Sequence, residues 1–205
     1  MKKLVQSLKL SACAFTLMFG IAACNSGSSD ETTTTENKDT TMATDATIAP
    51  ADTTSKQHAS VVLTGVFPDT TVTGNVTFDT QADGKVKMKL EISIPKKANK
   101  SVAVHIHEKG DCADMGKAAG GHWNPTNVQH GKWGSASFHS GDIGNVSLDA
   151  QGNGTMEMET DLWTIGGSDK TNILDKSIIV HGGVDDFTSQ PSGNAGTRIG
   201  CGIIK

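Results

Sequence analysis

A chain of 205 residues with 36% hydrophobic residues, 4% aromatic residues and no tyrosine must build its core from Val, Ile, Leu and Met. That bias weakly favours strands over large aromatic-packed helices. The formal net charge is -4, and no run of cationic residues could follow a phosphate backbone, which argues against nucleic acid as a partner.

Residues 1–23 read as a lipoprotein signal peptide. Lys2, Lys3 and Lys9 form a positive leader, and Leu10 to Ala23 is an apolar stretch shorter than a usual membrane span. It ends in Ile21-Ala22-Ala23-Cys24, which resembles the bacterial lipobox, so Cys24 is the expected lipidation site and first mature residue. Cleavage elsewhere by an ordinary signal peptidase is the plainer alternative. Lipid on Cys24 implies membrane association in a bacterial cell envelope, with the folded domain in the periplasm. Residues 24–57 are crowded with Thr, Ser, Asp, Ala and Glu and have almost no large apolar residue, so they read as a flexible tether. Without Lys2, Lys3 and Lys9 the chain has 15 basic and 22 acidic residues, a formal -7 that repels a small anion at long range.

Residues 58–205 have the length of one domain. Strands are predicted at 59–67, 72–81 and 84–95. In the third, Val86, Met88, Leu90, Ile92 and Ile94 alternate with Lys87, Lys89, Glu91 and Ser93, as in a sheet with one wet face. Asp83-Gly84 offers a hairpin turn before it. A fourth strand is predicted at 101–108, then a glycine-rich stretch to about Ser140 whose length implies a binding role. Further strands are predicted at 145–148, 155–162, 177–181 and 198–204, with Asn153-Gly154 as a hairpin turn. Short strands at this spacing point to an all-β sandwich or barrel. Cys112 and Cys201 are the remaining pair if Cys24 carries lipid. Export favours a disulfide over two buried free thiols, closing about 89 residues and stabilising by roughly 4 to 5 kcal/mol.

Besides His58, six histidines follow the tether region. His105-Ile106-His107 places two imidazoles on one face of a strand, about 6 to 7 Å apart. Alone, this pattern is as readily the polar face of a surface strand as a metal site. His122, His130, His139 and Asp142 change the weighing, because they sit among glycines that let a loop wrap an ion. Three nitrogens and a carboxylate suit zinc, whereas an all-histidine set suits copper.

The segments His105 to Cys112, Gly120-Gly121-His122-Trp123-Asn124-Pro125, His139 to Asn145, Val180-His181 and Gly193 to Gly202 together resemble the copper,zinc superoxide dismutase family, in its bacterial exported lipoprotein form. The resemblance covers nearly all of 58–205. It implies a Greek-key, immunoglobulin-like β-sandwich or flattened barrel with long metal-binding loops. It also implies copper at His105, His107, His122 and His181, and zinc at His122, His130, His139 and Asp142, with His122 shared. Asp185 matches the family carboxylate that links His105 to His130, and Arg198 matches the arginine that attracts superoxide.

The implied activity is dismutation of superoxide to dioxygen and hydrogen peroxide by alternating copper reduction and oxidation, with zinc organising the site and His122 and Arg198 serving catalysis. A noncatalytic copper carrier or metal-binding envelope lipoprotein is the alternative. Monomer and homodimer both stay open. Ser192 matches a channel-side position. The segment 182–191 is shorter than in animal members and lacks Lys and Glu, leaving Lys109 and Lys132 as candidate steering charges. His58 fits no ligand position; Trp123, Trp133 and Trp163 read as packing residues, and Asp186 as structural or solvated.

Overall fold

The alternating segments form eight strands in the computed structural model, which describes residues 57–167 and 170–205. The expected signal peptide, Cys24 and nearly all of the tether lie outside the described residues. The strands are β1 His58–Gly65, β2 Thr73–Thr80, β3 Val86–Ser93, β4 Ser101–His107, β5 Gly144–Ser147, β6 Asn153–Thr160, β7 Ser177–His181 and β8 Arg198–Ile203. Two short 3-10 turns are the only helical elements among the described residues, and none there is long and apolar enough to cross a membrane.

All named pairings are antiparallel, in the order β5-β4-β7-β8-β1-β2-β3-β6. The chain therefore crosses from one end of the order to the other between β3 and β4, and again between β5 and β6. The terminal strands β5 and β6 approach closely: a Cβ on Gly154 would lie 2.8 Å from Ser147 O and 2.7 Å from Leu148 Cδ2. The sheet is thus a nearly closed barrel.

Burial follows the alternation. In β3, Val86, Met88, Leu90 and Ile92 are buried, whereas Lys89 and Glu91 face water. Outside, Lys87 meets Glu157 at 2.9 Å and Lys85 meets Glu159 at 3.3 Å; such half-exposed pairs add little stability. The interior is filled by residues such as Val76, Phe78, Leu90, Ile106 and Ile178. Trp163 packs edge-on against Phe78 and donates its indole N–H to Ser140 O at 2.8 Å, satisfying its polar atom. Trp123 is buried beneath the Lys176 ammonium, and Trp133 packs on Trp163.

The β2–β3 turn falls where predicted: Gly84, at φ 84°, donates to Gln81 O. The predicted turn at Asn153-Gly154 is corrected. Both residues lie in β6, and the chain reverses over Asp149 to Gly152 instead. Asp149 Oδ1 accepts the amides of Gln151 and Asn153, and Gly152 takes φ 85°. The carboxylate nucleates that turn one step earlier. It delivers the chain to the far edge of the sheet, so β5 and β6 form no hairpin.

β4 and β7 depart from half-burial, for nearly all their residues are buried. Val102, Val104 and Ile106 point into the barrel, while His105 and His107 occupy the opposite face. That outer wall is roofed by the loops 108–143 and 182–197. A small second core there contains Ala119, Ile179 and Cys201, flanked by Val66 and Cys112. The Cys112–Cys201 disulfide ties this roof to β8.

Candidate metal centre

The two-residue period of β4 puts His105 and His107 side by side, and the adjacent end of β7 supplies His181. His122 is brought in by the loop. It forms a bridge with His107, followed by Trp123 N donating to Ile106 O at 2.8 Å and Gly141 N to Trp123 O at 3.0 Å. Gly141 lies so close to β4 that a Cβ would strike Ile106 O, which explains a glycine in this layer.

Two four-residue groups result. His105, His107, His122 and His181 form one; His122, His130, His139 and Asp142 form the other, each with one ligand atom per residue within 4.8 Å of the rest. All seven residues are buried. The structure thus brings together every residue anticipated for the two ions, with His122 in both groups. His58 stands apart on the surface, paired with Asp79 at 2.8 Å.

Five of the six rings have one nitrogen held from outside the two groups. His107 Nδ1 donates to Gly120 O at 2.9 Å and His181 Nδ1 to Gly196 O at 3.1 Å, which aims both Nε2 atoms inward, 3.4 Å apart. His105 Nε2 and His130 Nε2 each lie 2.9 Å from a different oxygen of Asp185, and His139 Nε2 donates to Val128 O.

Four inward ring nitrogens are unsatisfied. His105 Nδ1, His122 Nε2, His130 Nδ1 and His139 Nδ1 are buried and have no hydrogen-bond partner. His130 Nδ1 and His139 Nδ1 approach Asp142 at 2.9 and 3.2 Å, but outside hydrogen-bonding geometry. An unmet buried polar atom costs about 1 to 3 kcal/mol, and cations between these rings would offset that cost. The donor chemistry fits copper for the four-nitrogen group and zinc for the group with three nitrogens and a carboxylate.

Burial favours neutral imidazole, the form able to ligate. It lowers the His107 pKa to about 2, His181 to about 3 and His122 to about 4, the last opposed by hydrogen bonding to Asp142. Burial pushes Asp142 upward, but the hydrogen bond from His122, the adjacent His139 ring and the His139 main-chain N–H outweigh it and hold the carboxyl well below its usual range.

A cleft of about 570 Å³ opens over the group, lined by His107, His122, His181 and Arg198 together with Asn127, Gln190 and Ser192. Arg198 is half-buried, donating from Nη1 to Gly116 O at 2.5 Å and from Nη2 to Gly120 O at 2.6 Å. Neither Lys109 nor Lys132 lines the cleft. Lys132 lies over the Phe187 ring at 5.9 Å. Asp186 is exposed and accepts from Thr188 N, Ser189 N and Ser189 Oγ, so it organises a turn.

Two supporting residues carried no assignment from sequence. Asn145 clamps Asp185 through reciprocal bonds, Asp185 N to Asn145 Oδ1 at 2.8 Å and Asn145 Nδ2 to Asp185 O at 2.9 Å. Gln190 does the same to His130 from 60 positions away. Both act on main-chain atoms, which leave no mark on residue type in the partner.

An antiparallel barrel with adjoining nitrogen-rich and carboxylate-containing sites on its outer wall defines a protein built for two unlike transition metals. Comparison with known proteins agrees. The family model described as Copper/zinc superoxide dismutase (SODC) matches residues 72–204. Superoxide dismutase [Cu-Zn] 1 of Aquifex aeolicus is 37% identical over 130 residues, covering 61% of this chain and 76% of that protein. Superoxide dismutase [Cu-Zn] of Talaromyces marneffei is 36% identical over 153 residues, covering 71% and 96%. The crystal structure of the clock protein EA4 is 31% identical with a TM-score of 0.63, covering 74% of this chain and 95% of that one. This chain belongs to the copper/zinc superoxide dismutase family.

Proposed function

We propose that the chain dismutes superoxide to dioxygen and hydrogen peroxide, with copper held by His105, His107, His122 and His181 and zinc by His122, His130, His139 and Asp142. The observation that carries this reading is His122: it is common to both groups, with Nδ1 2.8 Å from Asp142 Oδ1 and Nε2 turned toward the other histidines without a partner. Copper would supply the one-electron exchange that side chains lack, and zinc held by His122, His130, His139 and Asp142 would order the loop that carries them.

The protein groups then have separable tasks. Arg198 presents a permanent charge in the cleft and orients the small anion, its guanidinium fixed by the Gly116 and Gly120 carbonyls. His122 Nε2, which has no hydrogen-bond partner, would hold a proton between the two half-reactions, while the contact of Nδ1 with Asp142 Oδ1 keeps the ring anchored. Asp185 fixes the orientation of His105 and His130 together. The surrounding barrel and loops bury the ligands except where the cleft reaches His107, His122, His139 and His181.

The test is turnover measured with metal occupancy on the mature chain. Fully loaded protein should consume superoxide and release peroxide in the dismutation ratio. Full, correctly coordinated occupancy without turnover would instead support a copper carrier.

We further propose that Cys24 is lipidated and that the tether leaves the domain in the periplasm. The charged leader, apolar stretch and Ile21-Ala22-Ala23-Cys24 support this. Intact mass of the envelope-extracted protein tests it: an acylated chain beginning at Cys24 is expected, and an unmodified chain cleaved elsewhere would overturn it.

A further inference from the structure

We infer that Gln190 is a positioning residue for the zinc side of the centre, a role that rests on the metal reading above. His130 is gripped twice by one short segment. Asp185 takes its ring at Nε2, and five residues later Gln190 takes its main chain: His130 N donates to Gln190 Oε1 at 2.9 Å, and Gln190 Nε2 donates to His130 O at 2.9 Å. A primary amide is suited to this because it offers one acceptor and two donors in a plane. Gln190 Nε2 also reaches Thr188 O at 3.3 Å.

The segment that presents Gln190 is itself braced. Asp186 accepts from Thr188 N and Ser189 N, Gly193 N donates to Ser189 O, and Asp186 N donates to Gly193 O. Asn194 Nδ2 donates to Ser189 Oγ at 2.8 Å. Gly193 closes the turn where a Cβ would collide with Asp185 Oδ1 and lie 2.6 Å from His130 Nε2; at φ 66° the position also disfavours a side chain. These contacts hold the Asp185 and Gln190 grips in fixed register. They fix both the ring and the backbone of His130, whereas the other zinc-side rings have no such main-chain clamp from this segment.

Gln190 lies at the cleft and is not itself a ligand. Its loss should loosen zinc retention without removing a metal contact. Outer-shell partners typically affect metal affinity by about 10- to 100-fold, and an exposed amide belongs at the lower end.

The test compares zinc release to a chelating dye from fully loaded mature protein, Gln190→Ala, Gln190→Glu and Thr188→Ala. Release from Gln190→Ala should be about tenfold faster than from the parent. Gln190→Glu, which keeps an acceptor for His130 N but loses the donor to His130 O, should fall between them. Thr188→Ala alters the same segment without touching His130 and should release zinc at the parental rate. Copper absorbance should persist while zinc leaves, and the urea midpoint of Gln190→Ala should match that of Thr188→Ala.

Parental zinc release from Gln190→Ala would overturn the positioning role. Equal acceleration in Thr188→Ala would also overturn it, by reducing the effect to general loosening of the segment. A parent that takes up no zinc would overturn both this role and the zinc assignment.

Discussion

The Oδ2 atom of Asp185 lies 2.9 Å from His105 Nε2, with both side chains essentially sealed from solvent. Its other oxygen meets His130 Nε2 at the same distance, so one carboxylate spans the two proposed ion sites. Burial pushes the Asp185 pKa upward, but the hydrogen bond to His105, with those to Phe187 N and His130, holds it below the usual range. Asp185→Ala should weaken zinc and copper together, by about 10- to 100-fold in affinity. Competition titration of each metal tests this; loss confined to one would break the proposed coupling.

Arg198 should matter to turnover more than to metal retention. Its Nη atoms contact Gly116 O and Gly120 O, and it is absent from both ligand groups. Arg198→Gln should lower kcat/KM by about tenfold or more while both metals stay bound. With the cleft cation removed, the acidic chain repels the anion, so added salt should raise the residual rate. Metal loss matching the activity loss would contradict this division of roles.

The disulfide joins the roof of the site to β8. Replacing Cys112 and Cys201 by serine should cost about 4 to 5 kcal/mol on the loop-entropy account. Urea unfolding of the metal-free domain measures that cost directly. A change below about 1 kcal/mol would show that the roof is held by its small core alone.

Acid should destabilise the metal-free domain well above the carboxylate range. His107, His181 and His122 fall to about 2, 3 and 4 in the fold because burial penalises their charged forms. Unfolded histidine titrates near about 6.5. Below that pH the unfolded chain binds protons that the fold refuses, so stability is lost as pH falls from about 6.5 toward 4, by up to about 1.4 kcal/mol per histidine per pH unit. Urea midpoints at neutral and mildly acidic pH, with chelator present, check the sign. Bound metal should delay the loss, since protons must then compete with it. An unchanged midpoint in metal-free protein would refute the expectation.

Much of this was legible because strands and ligands announce themselves by residue type. The run from Val86 to Ile94 could be read as a half-wet strand, and His105 with His107 as neighbours on one face. The Asn153-Gly154 turn misled because two turn signals lie within a few residues, and the local one is decided by the Asp149 carboxylate bonding to Gln151 N and Asn153 N. Asn145 and Gln190 were not legible as supports for another reason. Their partners are main-chain atoms 40 and 60 positions away, brought near only by the closed fold.

The carbonyl of Gly120 accepts from His107 Nδ1 at 2.9 Å and from Arg198 Nη2 at 2.6 Å. The imidazole proposed for copper and the guanidinium proposed to face the anion therefore rest on one main-chain oxygen. His107 projects from β4 and Arg198 from β8, so a displaced Gly120 carbonyl would release both anchors at once. A substitution that shifts this carbonyl should therefore disturb the aim of the imidazole and of the guanidinium together.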